Sequence, residues 1–184
     1  MARRNDRLVL RTMTHQELHQ TVEYRKATPD DVNSLAEMNE QLIQDEKHRF
    51  PVSIVQLSER MSEWLSGEYN AVIFSMHGFD IGYALYRHEP HWVCLRQFYV
   101  RSSHRRIGIG PLVIQFLRKT TWQDSPRIRL DVLVENAAGI AFWKAIGFKD
   151  YCITMELATR SDVEVRIKES NHNSTDVAHK RVTS

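Results

Sequence analysis

Apolar residues recur along the chain in two rhythms, and the changes of rhythm mark its elements. Alternation over "TVEYRKA" (21–27) predicts a strand. Behind it, Val32, Leu35, Leu42 and Ile43 repeat at helical spacing. That helix opens on Thr28, with Pro29 at its first position and acids in its first turn. Ser53 and Gln56 have the spacing of a capping box for a second helix, whose face carries Leu57, Met61, Trp64 and Leu65. Thr14 and Glu17 repeat that spacing near the front and predict a short helix. Three strands follow, "NAVIFSM" (70–76), "IGYALYRHE" (81–89) and "HWVCLRQFYV" (91–100), the first two joined by the turn-like "HGFD" (77–80). "PLVIQFLRK" (111–119) is a helix and "RIRLDVLV" (127–134) a strand. "NAAGIAFWKAIGF" (136–148) is a helix closed by Gly147, and "YCITMEL" (151–157) alternates as a last strand. Antiparallel strands in the first half thus meet helix-linked strands in the second. The pattern predicts an α/β domain over residues 21–160, with a mixed, mostly antiparallel central sheet and helices on both faces. Residues 1–20 form an N-terminal appendage. Residues 161–184 are polar and aperiodic, and predict a weakly ordered tail.

Composition narrows the function classes. The 184 residues carry a formal net charge of only +2, with excess base confined to the ends. No field suited to nucleic acid is expected. No apolar run approaches the length of a membrane span, and the front lacks a secretory h-region. Cys94 and Cys152 match no metal-ligand spacing, so no metal is expected; each lies in an apolar stretch, and they read as reduced, buried thiols of a cytoplasmic protein.

One stretch stands apart. "RRIGIG" spends two of only seven glycines two residues apart, behind Arg105 and Arg106. Glycine permits positive φ and close approach to the backbone, and arginine forks fit phosphate. The stretch opens a helix, where free N–H groups and the dipole favour an anion. It also follows a strand, at the end where open α/β sheets bind ligands. Taken alone, a tight turn with a solvated basic spot explains it as well.

Two blocks together resolve that ambiguity. Arg105, Gly108 and Gly110 fit Gln/Arg, two residues, Gly, one residue, Gly/Ala, after a strand ending "FYV" (98–100). About 26 residues beyond Gly110 come Asn136, Ala141, Phe142, Gly147 and Phe148. Over residues 21–160 the chain resembles the GNAT family, the Gcn5-related N-acetyltransferases. The resemblance implies acetyl-CoA as donor and an amine as acceptor. Backbone N–H groups of Arg106, Ile107, Gly108, Ile109 and Gly110 would cradle the pyrophosphate, with Arg105 as a charged donor. A bulge would splay the preceding strand, exposing Phe98, Tyr99 and Val100 to pantetheine, and Asn136 would bond to the pantetheine arm. Trp143 would wall the thioester region.

The sequence departs from the family where protons move. Many members carry an acid near the positions of Arg96 and Gln97, and a Tyr at that of Trp143. Replacements are therefore expected from elsewhere. "DEKHR" (45–49) offers Glu46 as base, and Glu46, His48 and Arg49 as acceptor contacts, because this connection borders the acceptor site in the family. As a solvated helix end it is equally natural. Glu89 and His91, beside Pro90, are a second pair. Tyr151 is the candidate acid for the thiolate, with a core or edge tyrosine as the plainer reading. Asp131 reads as an ion-pair partner for Arg96. The leading expectation is an N-acetyltransferase acting on a primary amine of a small molecule or protein. The alternative is an acyl-CoA-binding regulatory module without turnover. A Rossmann reading fails because the third Gly and the repeating βαβ units are missing. Pairing of sheet edges makes a homodimer a further expectation.

Overall fold

The computed structural model describes residues 14–46 and 52–157. The expectations for the first thirteen residues, for His48 and Arg49, and for the tail 161–184 lie outside the described residues. The chain divides into two units, one ending at Phe148 and one starting at Lys149.

In the first unit, helix starts follow the local chemistry. α1 (His15–Thr21) opens with a complete capping box: Glu17 N–H donates to Thr14 Oγ1, and Thr14 N–H to the Glu17 carboxylate at 2.7 Å. β1 (Val22–Lys26) follows. Pro29–Asp31 makes a single 3₁₀ turn, also closed by a capping box from Thr28, before α2 (Val32–Asp45). Ser53 and Gln56 cap α3 (Ile54–Ser66) reciprocally. Next come β2 (Asn70–Met76), β3 (Phe79–His88) and β4 (Val93–Val100), then α4 (Ile109–Lys119), the short β5 (Ile128–Arg129) and α5 (Ala137–Ala145). The end of α5 is a Schellman motif, with Gly147 at φ 99°, Phe148 N–H donating to the Trp143 carbonyl and Gly147 N–H to that of Lys144.

The sheet order is β1-β2-β3-β4-β5, antiparallel except for the parallel β4–β5 pair. A core lies on each face. One gathers Leu35, Met38, Met61, Ile73, Tyr83, Leu85 and Tyr99 under α2 and α3. The other gathers Phe74, Ile81, Ala84, Val93, Leu95, Leu112, Val113 and Leu117 under α4, with Phe98, Trp143 and Ile146 packed against it.

Two irregularities in β4 position everything that follows. Leu85 opposes Gln97, but Tyr86 opposes Leu95. Arg96 is therefore an extra residue, a β-bulge. In addition, β5 pairs with β4 only at Val93↔Ile128 and Cys94↔Arg129. From Leu95 to Val100 the outer edge of β4 has no ladder partner among the described residues.

Two expected strands are corrected. The strand over 127–134 shrinks to Ile128–Arg129, and the stretch after it has left β4. "YCITMEL" forms no strand: residues 149–157 are irregular, and Ile153, Met155 and Leu157 are each at least 85% exposed. Alternation supplies a face, but a strand exists only against a ladder, and this stretch has none. The expected burial of both thiols is corrected with it: Cys152 lies in this stretch and is exposed, and Cys94 is only half-buried.

Candidate active site

The glycine loop is built where β4 ends. Ser102–His104 forms a 3₁₀ turn, Arg106 takes φ 64° and Gly108 takes φ 92° as the N-cap of α4. Positive φ at alternating positions curls the backbone and turns successive N–H groups to one side. None of the N–H groups from Arg106 to Gly110 donates to another described group, and the first bond of α4 runs from Leu112 N–H to the Gly108 carbonyl. Five consecutive donors thus remain unpaired among the described residues at the positive end of the α4 dipole. Pro111 comes just after them and removes none.

The two glycines have different reasons to be there. Gly108 needs its positive φ; a Cβ would meet only Leu18, at 3.6 Å. Gly110 is forced by packing, since a Cβ would lie 2.9 Å from Cε2 of Phe142. Phe142 stacks at 7° on Phe98, and Trp143 meets both edge-on, at 5.5 Å from Phe98 and 4.8 Å from Phe142. The glycine helix, the open strand and α5 are therefore bound through one aromatic cluster.

Arg105 is engaged with the protein itself. Its Nε donates to the Val100 carbonyl at 2.6 Å, its Nη2 pairs with Asp45, and its guanidinium lies over the Tyr99 ring. It fastens the glycine loop to the ends of β4 and α2. Asn136 caps α5, its side-chain oxygen accepting from Gly139 N–H at 2.8 Å. Burial raises the Tyr99 phenol, which the Arg105 charge opposes.

The opposite face of β4 holds a polar chain that sequence reading did not single out. Tyr83 Oη donates to Gln97 at 2.8 Å, and Gln97 Nε2 donates to Asn39 Oδ1 at 2.9 Å. Burial pushes Tyr83 well above the usual phenol range, so it remains a neutral donor. Glu46 is half-buried at the C-terminal end of α2, close enough for its charge to act on Tyr83. Arg60 and Arg96 both approach Trp64, at 4.9 Å and 5.8 Å from its ring centroid. A signal for Asn39 was present: it lies on the apolar stripe of α2, four residues from Leu35, and a polar side chain there requires a partner.

The other sequence candidates have surroundings of their own. Glu89 accepts from Arg87 at 2.8 Å, which accounts for its carboxylate. Arg96 lies over Trp64 and makes no ion pair with Asp131 among the described residues. Tyr151 belongs to the second unit and is 71% exposed.

Similarity to known proteins agrees with this architecture. The sequence profile described as Acetyltransferase (GNAT) family matches residues 34–148, more than half of the chain. The chain belongs to that family. No curated protein sequence matches it significantly. Among solved structures, a possible acetyltransferase from Clostridium difficile 630 is 18% identical with a TM-score of 0.65, covering 77% of this chain and 99% of its own. An aminoglycoside N-acetyltransferase in complex with CoA is 17% identical with a TM-score of 0.60, over 76% of this chain and 95% of its own. The ribosomal-protein-alanine N-acetyltransferase from Brucella melitensis biovar Abortus 2308 is 15% identical with a TM-score of 0.62, over 74% and 99%. At these identities the likeness establishes the mixed-sheet GNAT fold. No helix among the described residues is long and apolar enough to cross a membrane.

Proposed function

We propose that the protein transfers an acetyl group from acetyl-CoA to a primary amine of a small molecule or protein. The observation that carries this reading is the continuity of the open β4 edge with the five unspent N–H groups from Arg106 to Gly110. An extended arm carrying amides can hydrogen-bond along the strand edge while its pyrophosphate meets the N–H row. Phe98, Tyr99 and Val100 supply the edge in this reading, and Asn136 and Trp143 border it from α5. Arg105 holds the loop in shape through Val100 and Asp45.

The amine nitrogen attacks the thioester carbonyl, and the CoA thiolate leaves with the electron pair of the C–S bond. A backbone N–H on the unpartnered edge near Phe98 stabilises the oxyanion. Glu46 accepts the ammonium proton directly or through water. The thiolate takes a proton from solvent. Catalysis needs little from a base if the amine arrives neutral, so the absence of an acid at Arg96 and Gln97 is compatible with turnover. Two free thiols fit a reducing cytoplasm.

The test is thiol release from acetyl-CoA over a diverse panel of primary amines. Release that depends on one class of amine supports the reading. Tight CoA binding with no release on any amine overturns it in favour of a regulatory acyl-CoA-binding module.

A further inference from the structure

The bulge in β4 has an effect on the face away from the glycine helix. In a regular strand Arg96 would share a face with Phe98 and turn toward α4. Leu95 does pack on the α4 side, and Tyr99 on the side of α2 and α3. Between them, Gln97 reaches Asn39 of α2 and Arg96 reaches Trp64 of α3. The extra residue thus puts two consecutive polar side chains, Arg96 and Gln97, on one face. Arg60, one turn before Trp64 on α3, comes to the same ring.

This pair of arginines differs from three others that pack on the same sheet. Arg25, Arg87 and Arg105 each hold a carboxylate, on Asp31, Glu89 and Asp45. Arg60 and Arg96 have none among the described residues. They are close enough that the Arg96 charge, after burial, pulls the Arg60 guanidinium down from its usual value. Two like charges held together without a counter-ion cost free energy that a bound anion would recover. The donors beside them are unspent as well. Arg60 Nε is buried with no partner, and so is Asn39 Nδ2, on a side chain with 0% exposure. Four buried donors lack a partner among the described residues, and these two stand beside the unpaired arginines, where an incoming acceptor group would satisfy them.

We propose that Arg60 and Arg96, brought together at Trp64 beside the Gln97–Asn39 pair, bind an anionic group on the acceptor, so that the amine acetylated carries a carboxylate or a phosphate. The proposal rests on the acetyltransferase reading and narrows its substrate. Two guanidinium forks suit either oxyanion and repel polycationic amines.

Matched acceptors test it: O-phosphoethanolamine against ethanolamine, β-alanine against β-alaninamide, and spermidine as a polycation. The expected result is a kcat/KM at least ~10-fold higher for one or both anionic members than for their neutral partners, with spermidine poorest. Phosphate and carboxylate sources separate by which pair shows the difference. In Arg60→Met and Arg96→Met that preference falls by ~10-fold, equivalent to about 1.4 kcal/mol, through acceptor KM, and Arg60→Lys restores part of it. Circular dichroism and CoA affinity confirm that each variant is folded. Neutral or polycationic acceptors turning over best, or a preference unchanged in both variants, overturns the proposal. If no amine turns over while CoA binds, the enzyme reading fails and the subsite is read separately. The Arg60 Nε–Hε resonance of the CoA-saturated protein is then followed during titration with inorganic phosphate and with acetate. A saturable shift that is lost in Arg96→Met supports the subsite, and no saturable shift with either anion overturns it.

Discussion

The two glycines of the donor loop should fail in different ways when each becomes alanine. At Gly108 the backbone sits at φ 92°, a conformation that costs an L-residue roughly 1–2 kcal/mol. The new Cβ meets nothing closer than Leu18 at 3.6 Å, so the strain is relieved by turning the backbone rather than by moving a neighbour. Turning it rotates the N–H groups of Gly108 and Ile109 out of the common direction. Loss of one or two charge-assisted bonds to a pyrophosphate should raise the CoA dissociation constant by ~10-fold or more, about 1.4 kcal/mol. At Gly110 the backbone has no such requirement. Its Cβ would lie 2.9 and 3.0 Å from Cε2 and Cζ of Phe142, where carbon contacts normally begin at about 3.5 Å. Phe142 must yield, and with it the stack on Phe98 and the edge of Trp143. Overpacking of this kind costs about 1–3 kcal/mol. Gly110→Ala should therefore lose stability and keep most of its CoA affinity, while Gly108→Ala loses more affinity relative to its stability. Urea unfolding with calorimetric CoA titration separates the two quantities. A Gly108→Ala protein that binds CoA like the wild type, beside a folded Gly110→Ala protein that does not, would refute the assignment of the N–H row.

Three further outcomes are expected. Glu46→Gln, which keeps shape and removes charge, should lower kcat/KM by roughly 100-fold with CoA affinity unchanged if Glu46 is the base; a change confined to acceptor KM assigns it to amine binding, and no change in either returns it to a solvated helix end. Asp31 is held at about 2, chiefly by the Arg25 hydrogen bonds; its folded value is depressed, so its stabilisation is present above the unfolded value near 4 and is lost as pH falls toward 2. With Arg25 45% exposed, that contribution is about 1 kcal/mol after screening, and Asp31→Asn should flatten the acid limb of a stability–pH curve by this amount. Deleting Arg96 removes the only unpaired residue between Leu95 and Gln97, so β4 should pair regularly with β3 and the melting temperature should stay within a few degrees; acetyl transfer should fall by ~100-fold, and a fully active deletion variant would show that the bulge has no part in the site.

Much of the fold was legible because its signals are local. Thr14 with Glu17, and Ser53 with Gln56, announced two helix starts by spacing alone, and both boxes are present. Gly147 announced the end of α5 in the same way. "YCITMEL" alternates as clearly as "TVEYRKA", but a strand depends on what lies beside it, and nothing in seven residues encodes that. The bulge was expected from the family resemblance, and its own trace in the pattern went unread. Val93 and Leu95 keep one phase of alternation, Phe98 and Val100 keep the other, and all four belong to the core under α4. A phase change within one apolar run requires an extra residue between them. The Arg105 ion pair with Asp45 spans sixty positions, and no local pattern could supply it. The glycine loop was singled out for ligand approach, and the structure adds a packing reason at Gly110, where a Cβ would meet Phe142.

The phase change explains why an acid at Arg96 or Gln97 is dispensable to the architecture. β4 offers three surfaces: an outer edge left by β5 after Cys94, a face toward the aromatic cluster of α5, and a face toward α2 and α3. Without the extra residue the strand would present alternate side chains to the two faces. Only one of Arg96 and Gln97 would then reach the side of Asn39 and Trp64. With it, both do, and a neutral amide and a guanidinium stand together where a base would stand alone. Gln97 is committed to Tyr83 and Asn39, so it fixes the strand and moves no proton. Charge at this position is therefore positive, and Glu46 supplies a carboxylate whose field reaches Tyr83. A positive strand centre with a separate carboxylate at the end of α2 is suited to an acceptor that bears both signs, with its ammonium toward the acid and its anion toward the arginines.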